Sequence, residues 1–202
     1  MIFLKVNPKK ISPTSIKYIA GFLNEGKVVV LPTDTIYGFS CLANNEKAIK
    51  KIKKIKGNEN NKPLSVLVSD LKMIKKYAYV SFFQEKSLKK IWVKKSRPTS
   101  VILKHRSKLP RALTGNSGGL SMRLPKVEFL TKILEELRYP LVSTSFNLSG
   151  QEVISNPMEA SQIFTKKNAQ PDLIVDAGIC HHKRASKIID LREDIIEKVL
   201  RK

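Results

Sequence analysis

The sequence predicts an α/β fold: a twisted, mixed sheet with helices packed on it, in a single domain over residues 1–202. Three observations carry this expectation. Val28, Val29, Val30 and Leu31 are consecutive apolar residues between Lys27 and Pro32, which fits a strand covered on both faces. Over residues 45–56, Ala48, Ile49, Ile52 and Ile55 recur at three-and-four spacing with Lys47, Lys50, Lys51, Lys53 and Lys54 between them, the pattern of a helix with one apolar face. Strand-like and helix-like segments alternate along the chain, without the regular rhythm of a doubly wound fold. At 202 residues and 42% hydrophobic composition, the chain can bury one sizeable core. No internal repeat or low-complexity linker divides it.

The elements follow in order. Ile16, Ile19, Ala20, Phe22 and Leu23 set a helix over 13–25 that Gly26 stops. A buried strand covers 27–31, and Gly57 closes the helix over 45–56. A strand over 64–68 leads to a helix over 70–78 capped by Asp70, then to a helix over 81–94 that buries Phe82, Leu88, Ile91 and Trp92. Strands over 100–103 and 120–124 flank a Gly-rich connection. A helix over 127–137, a strand over 141–145, a short helix over 157–164 and strands over 173–175 and 187–191 complete the reading.

Lys and Arg exceed Asp and Glu by 38 − 17 = 21, so the molecule attracts polyanions, with nucleic acid, nucleotides and acidic membranes as candidates. Heavy use of Lys, Ile and Asn makes compositional bias the competing explanation of that charge. Two cysteines, Cys41 and Cys180, are too few for a disulfide framework and agree with a reducing compartment. No run approaches the ~18 apolar residues of a membrane helix, and the N-terminal stretch is too short and too soon charged for a signal peptide. A cytoplasmic protein without a membrane partner is expected.

Several motifs lead nowhere. Gly115-Asn116-Ser117-Gly118-Gly119 is close to a serine-protease nucleophile loop, but Asn stands for Asp, and His105, His181 and His182 lack the matching setting. Cys180-His181-His182 has no second cluster to complete a tetrahedral metal site. Gly-x-Gly-x-x-Gly and the Walker phosphate loop are absent from the sequence. What remains is scattered. Lys56 and Lys62 bracket a short polar loop, so two ammonium groups can flank one anion. Arg123, two residues before Pro125, offers a guanidinium fork at a sheet rim. Ser143, Ser145 and Asn147 come from the end of a strand, where open α/β sheets hold ligands. Cations and hydroxyls at strand ends suggest a phosphate-bearing ligand.

Thr33-Asp34-Thr35-x-Tyr37-Gly38, Lys56-Gly57, Lys62-Pro63-Leu64-x-Val66, Arg123-x-Pro125 and Thr144-Ser145-x-Asn147-Leu148-Ser149-Gly150 together resemble the YrdC-like family, the threonylcarbamoyl-AMP synthases. Order and spacing match from about residue 13 to the C-terminus. The resemblance implies a single YrdC-like α/β domain with a concave basic surface. It implies an enzyme, a nucleotidyltransferase making threonylcarbamoyl-AMP and pyrophosphate from ATP, L-threonine and bicarbonate, toward N6-threonylcarbamoyladenosine in tRNA. It implies Mg²⁺ travelling with ATP rather than in a protein cage, a downstream threonylcarbamoyl transferase as partner, and tRNA or double-stranded RNA as a further partner class.

By the same resemblance, Lys56, Ser145 and Asn147 carry catalysis, and Thr35, Arg123 and Ser186 bind threonine. Lys56, Asn58, Lys62, Ser143, Ser145, Asn147 and Arg201 meet ATP. The chain departs from the family pattern twice. Asn58 stands where an arginine is common, and Lys187 stands for threonine in Ser186-Lys187-Ile188-Ile189-Asp190, where it can restore the missing charge. A catalytically weak relative that binds double-stranded RNA or tRNA, and another adenylating enzyme on the same scaffold, are the alternative readings.

Overall fold

Val28 and Val30 pack into one buried cluster while Val29 and Leu31 pack into another, the period-two alternation of a strand covered on both faces. This computed structural model describes residues 1–57, 63–93, 95–164, 169–181, 184–193 and 198–201. Its strands are β1 (Ile2–Lys5), β2 (Val29–Leu31), β3 (Gly38–Ser40), β4 (Ser65–Leu67), β5 (Thr99–Lys104), β6 (Gly119–Arg123), β7 (Leu141–Ser145), β8 (Leu173–Asp176), β9 (Lys187–Asp190) and β10 (Lys198–Arg201). They form one mixed sheet in the order β1-β8-β2-β3-β7-β4-β6-β5-β9-β10. The mixed α/β expectation holds.

The helices are α1 (Pro13–Asn24), α2 (Glu46–Lys56), α3 (Leu71–Tyr77), α4 (Phe82–Ile91), α5 (Arg111–Thr114), α6 (Glu128–Leu137) and α7 (Ala160–Phe164), with a 3₁₀ turn over Pro157–Glu159. One face of the sheet is covered by Ile19 and Leu23 of α1 together with Leu130, Ile133 and Leu134 of α6. The other is covered by Ile49 and Ile52 of α2, Ile74 of α3 and Leu88 of α4. Each such side chain contributes roughly 1.5–3 kcal/mol when fully buried, so these two layers are what hold the strand ends in register.

Local chemistry starts and stops the helices. Ser12, Asn45 and Asp70 each accept a backbone N–H from three residues on, at 3.1, 3.0 and 2.7 Å, and so satisfy donors that a helix start leaves unpaired. Ser81 and Gln84 form a reciprocal capping box at the start of α4. Gly57 ends α2 in the left-handed region at φ 65°, where a side chain is disfavoured.

The structure corrects the sequence reading in places. α4 ends at Ile91, and Phe82 is 67% exposed instead of buried. Six residues before Leu88, it stands about 120° round the helix from that core residue. Trp92 caps α4, half-buried, and its Nε1 donates to the Thr99 carbonyl at 2.7 Å. The sequence reading missed β1, β3, β10 and α5. All four β10 residues are exposed and only three residues make β3, so neither carries a readable apolar pattern.

Candidate functional site

The strand pairings gather the polar residues. β3 lies antiparallel to β7 with Gly38 opposite Ser145, and β4 lies antiparallel to β7 with Ser65 opposite Ser143. β6 runs parallel to β4 with Arg123 opposite Leu67, and β9 runs parallel to β5 with Ser100 opposite Ile188. A cavity of about 380 Å³ opens over these strands, and Thr35, Arg123, Ser143, Ser145, Ser186 and Arg201 all line it. Its described lining contains no aspartate or glutamate.

The loop between β2 and β3 is folded on itself. Thr33 Oγ1 donates to the Ile36 carbonyl at 2.7 Å, accepts from the Thr35 N–H at 3.0 Å and lies 2.9 Å from Thr35 Oγ1. Thr35 is thereby held buried at the cavity wall. Asp34 between them turns to Arg123 and forms an ion pair in which each side chain is 5% exposed. Its other oxygen accepts the Lys126 backbone N–H at 3.2 Å. Arg123 is therefore not an open fork at a rim. It is buried, oriented by Asp34, and presented to the cavity from the last position of β6.

Behind β7 lies a second arrangement. The Lys56 ammonium, at the end of α2, donates to the Ser145 carbonyl at 2.6 Å, to Asn147 Oδ1 at 2.7 Å and to the Asn147 carbonyl at 3.0 Å, with Ser145 Oγ at 3.4 Å. Ser145 Oγ donates to Asn147 Oδ1 at 2.6 Å, and Asn147 Nδ2 donates to the Gln151 carbonyl at 2.7 Å. Burial pushes the Lys56 pKa down to about 8. Lys56 and Asn147 do not line the cavity, while Ser145, which both of them fix, does.

The third arrangement joins the sheet's far strands. Ser100 Oγ lies 2.8 Å from Ser186 Oγ, and Arg201 donates from Nε to the Ser186 carbonyl at 2.8 Å and from Nη2 to Ser186 Oγ at 3.2 Å. Burial, and then the neighbouring charges of Arg97 and Arg123, push the Arg201 pKa down. Arg201, and Arg123 with its charge met by Asp34, thus border one space whose described lining carries no acid, which leaves Arg201 as the charge that draws an anion.

The structure therefore groups Thr35, Arg123, Ser143, Ser145, Ser186 and Arg201 around one cavity, with Lys56 and Asn147 directly behind. Asn58 and Lys62 lie outside the described residues. Sequence reasoning assigned no role to Asp34, Ser65 or Ser100. Asp34 sits inside the quoted Thr33-Asp34-Thr35 motif, so a question about what neutralises Arg123 could have found it. Ser65, whose Oγ lies 2.7 Å from Ser121 Oγ, and Ser100 enter only through strand pairing. No cluster of three or more metal-ligating side chains occurs among the described residues. No helix among them is long and apolar enough to cross a membrane.

Comparison with known proteins fits this geometry to a family. A Methanocaldococcus jannaschii protein, provisionally named threonylcarbamoyl-AMP synthase, is 35% identical over 182 residues, covering 90% of this chain and 82% of its own. The Pyrococcus abyssi threonylcarbamoyl-AMP synthase is 28% identical over 186 residues, and the match spans only 53% of that protein's length. Among solved structures, P. abyssi Sua5 complexed with L-threonine aligns with TM-score 0.87 and 27% identity over 100% of this chain and 57% of its own. Escherichia coli YciO aligns with TM-score 0.87 and 26% identity over 100% of this chain and 96% of its own. The family model Sua5/YciO/YrdC, described as telomere recombination, matches residues 21–202, and the chain belongs to that family.

Proposed function

We propose that this chain is an L-threonylcarbamoyladenylate synthase, a nucleotidyltransferase that makes threonylcarbamoyl-AMP and pyrophosphate from ATP, L-threonine and bicarbonate. The observation that carries the reading is the convergence of Arg123, Arg201 and the hydroxyls of Thr35, Ser143, Ser145 and Ser186 on one cavity whose described lining carries no acid. Relatives that share the fold and up to 35% of aligned residues carry this activity in their names, and one solved relative was crystallised with L-threonine.

The threonine carboxylate pairs with Arg123, beside the Thr35 and Ser186 hydroxyls. The triphosphate gathers at Arg201, Ser143 and Ser145, with Lys56 and Asn147 fixing Ser145 from behind and Asn58 and Lys62 completing the phosphate-binding end. The amine of threonine condenses with bicarbonate, losing water, to form a carbamate, whose oxygen attacks the α-phosphorus of ATP and expels pyrophosphate. Such a step needs alignment and neutralisation of gathering negative charge more than a protein nucleophile. Mg²⁺ enters as part of the ATP substrate. Asp34 is held by Arg123, and in this reading the metal is left to the phosphates.

Residues 1–202 act as one domain in this reading, supported by a sheet whose strand order runs unbroken through all ten strands. The reading places the chain in a reducing, cytoplasmic setting, in line with its count of two cysteines. The unstable product is handed to a threonylcarbamoyl transferase for tRNA modification. The test is pyrophosphate release from ATP and Mg²⁺, which should require threonine and bicarbonate together. Release indifferent to either one removes the reading.

A further inference from the structure

Residues 71–108 contain twelve Lys or Arg and a single acid, Glu85. The same segment presents the most exposed aromatic rings among the described residues: Phe82 at 67%, Phe83 at 64% and Tyr79 at 54%. All other phenylalanines of the chain are buried or half-buried. The fold does not require this exposure. α4 is anchored by Gln84 and Leu88 and started by its capping box, none of which uses a phenyl ring.

Ion pairs and backbone hydrogen bonds tie these pieces together. The Lys75 ammonium joins α3 to Glu85 of α4 at 2.7 Å, and Lys89 reaches the same carboxylate at 2.9 Å. The Tyr79 N–H donates to the Lys104 carbonyl at 2.9 Å and the Arg106 N–H to the Tyr77 carbonyl at 2.8 Å, which sets the end of α3 beside the end of β5. Phe82 and Phe83 meet edge to face with centroids 6.0 Å apart. Each outer ring carries a cation. Lys86 Nζ lies 4.5 Å from the Phe82 centroid and Arg106 lies 4.3 Å from that of Tyr79. None of the three rings lines the cavity described above.

A ring with a cation over one face keeps its other face for an unpaired base to stack on, and the cation can neutralise that nucleotide's phosphate. Duplex nucleic acid keeps its bases stacked inside and offers a shape and a backbone instead, so it has no use for three solvent-facing rings. We propose that the α3–α4–β5 face is a binding platform for single-stranded nucleic acid, with bases stacking on Phe82, Phe83 and Tyr79 and phosphates meeting Lys86, Arg106 and their lysine neighbours. The proposal does not depend on the catalytic reading, because the rings and the cavity share no residue.

The test is fluorescence anisotropy of the full chain with labelled oligonucleotides of about 12 residues, within the site sizes of such surfaces. RNA, DNA and the matching duplex are titrated over a range of salt. The single strand should bind, and F82A/F83A should weaken it by roughly tenfold or more at fixed salt while leaving the salt slope unchanged. K86A/R106A should instead reduce the slope, by about one for each phosphate that is no longer neutralised. Thermal melts and pyrophosphate release should be the same for F82A/F83A and wild type, which separates this face from the cavity. The RNA and DNA arms identify the strand bound. Absence of single-strand binding at low salt overturns the proposal. So does equal binding by wild type and F82A/F83A, or a duplex bound as tightly as the single strand.

Discussion

Lys56 shows how one side chain can shape a site it does not line. Its ammonium is surrounded by oxygens of Ser145 and Asn147, so removing it frees the turn that presents Ser145. Burial lowers its pKa from the ordinary lysine value to about 8. Between about 8 and the ordinary value, the unfolded chain holds a proton that the folded chain has released, so this group's contribution to stability rises with pH across that window. The clamp itself runs the other way: the full ammonium is present below about 8 and lost above it. Synthase activity should therefore fall as pH rises through about 8. Lys56→Met should be weakly active and lack that limb, and a variant retaining the same pH profile contradicts the assignment.

Asp34 and Arg123 give a second prediction at this scale. Both are 5% exposed, and breaking a buried pair by removing one partner costs about 3–5 kcal/mol. Asp34→Ala should lower the urea midpoint accordingly and raise the KM for threonine, because Arg123 loses its orientation. An unchanged midpoint rules out the structural part of this role. The motif residues were legible in the sequence because backbone turns and charged groups there recur in a fixed order. The Asp34–Arg123 pairing was not, because it joins a loop to the end of a strand that only the sheet brings beside it.

Elements decide where those residues stand. β7 was read with its bounds intact, Leu141–Ser145, because a short apolar run followed by hydroxyls has one interpretation at a strand end. β3 and β10 escaped notice. A strand of three residues, or one exposed at every position, is defined by its neighbour and not by its own pattern. Yet both matter to the site: β10 delivers Arg201, and β3 places Gly38 against β7. A Cβ at Gly38 would lie 3.1 Å from the Thr144 carbonyl and 3.4 Å from Ser143 Oγ. Gly38→Ala should push β7 aside and lower turnover about tenfold or more, since small misplacements of reacting groups are costly. Ile133→Ala, in the fully buried stripe of α6, should show the opposite balance. It should lose about 2–5 kcal/mol of stability while the folded fraction keeps its turnover.

The whole molecule is a sheet with two buried layers, and the unbroken apolar run Val28 to Leu31, now seen to alternate between them, was the sequence feature that foretold it. Calorimetry should give one transition in which the calorimetric and van't Hoff enthalpies agree, and two separable transitions contradict a single domain. Part of the charge of +21 lies in residues 71–108, with twelve Lys or Arg and one acid, while the cavity's described lining carries only Arg123 and Arg201. Its meaning depends on what that cavity holds. The most direct measurement is mass detection after mixing purified protein with ATP, Mg²⁺, threonine and bicarbonate. The account expects threonylcarbamoyl-AMP that disappears when threonine or bicarbonate is withheld and falls sharply in Arg123→Ala. ATP consumed without that adenylate, or an adenylate formed equally well by Arg123→Ala, contradicts it.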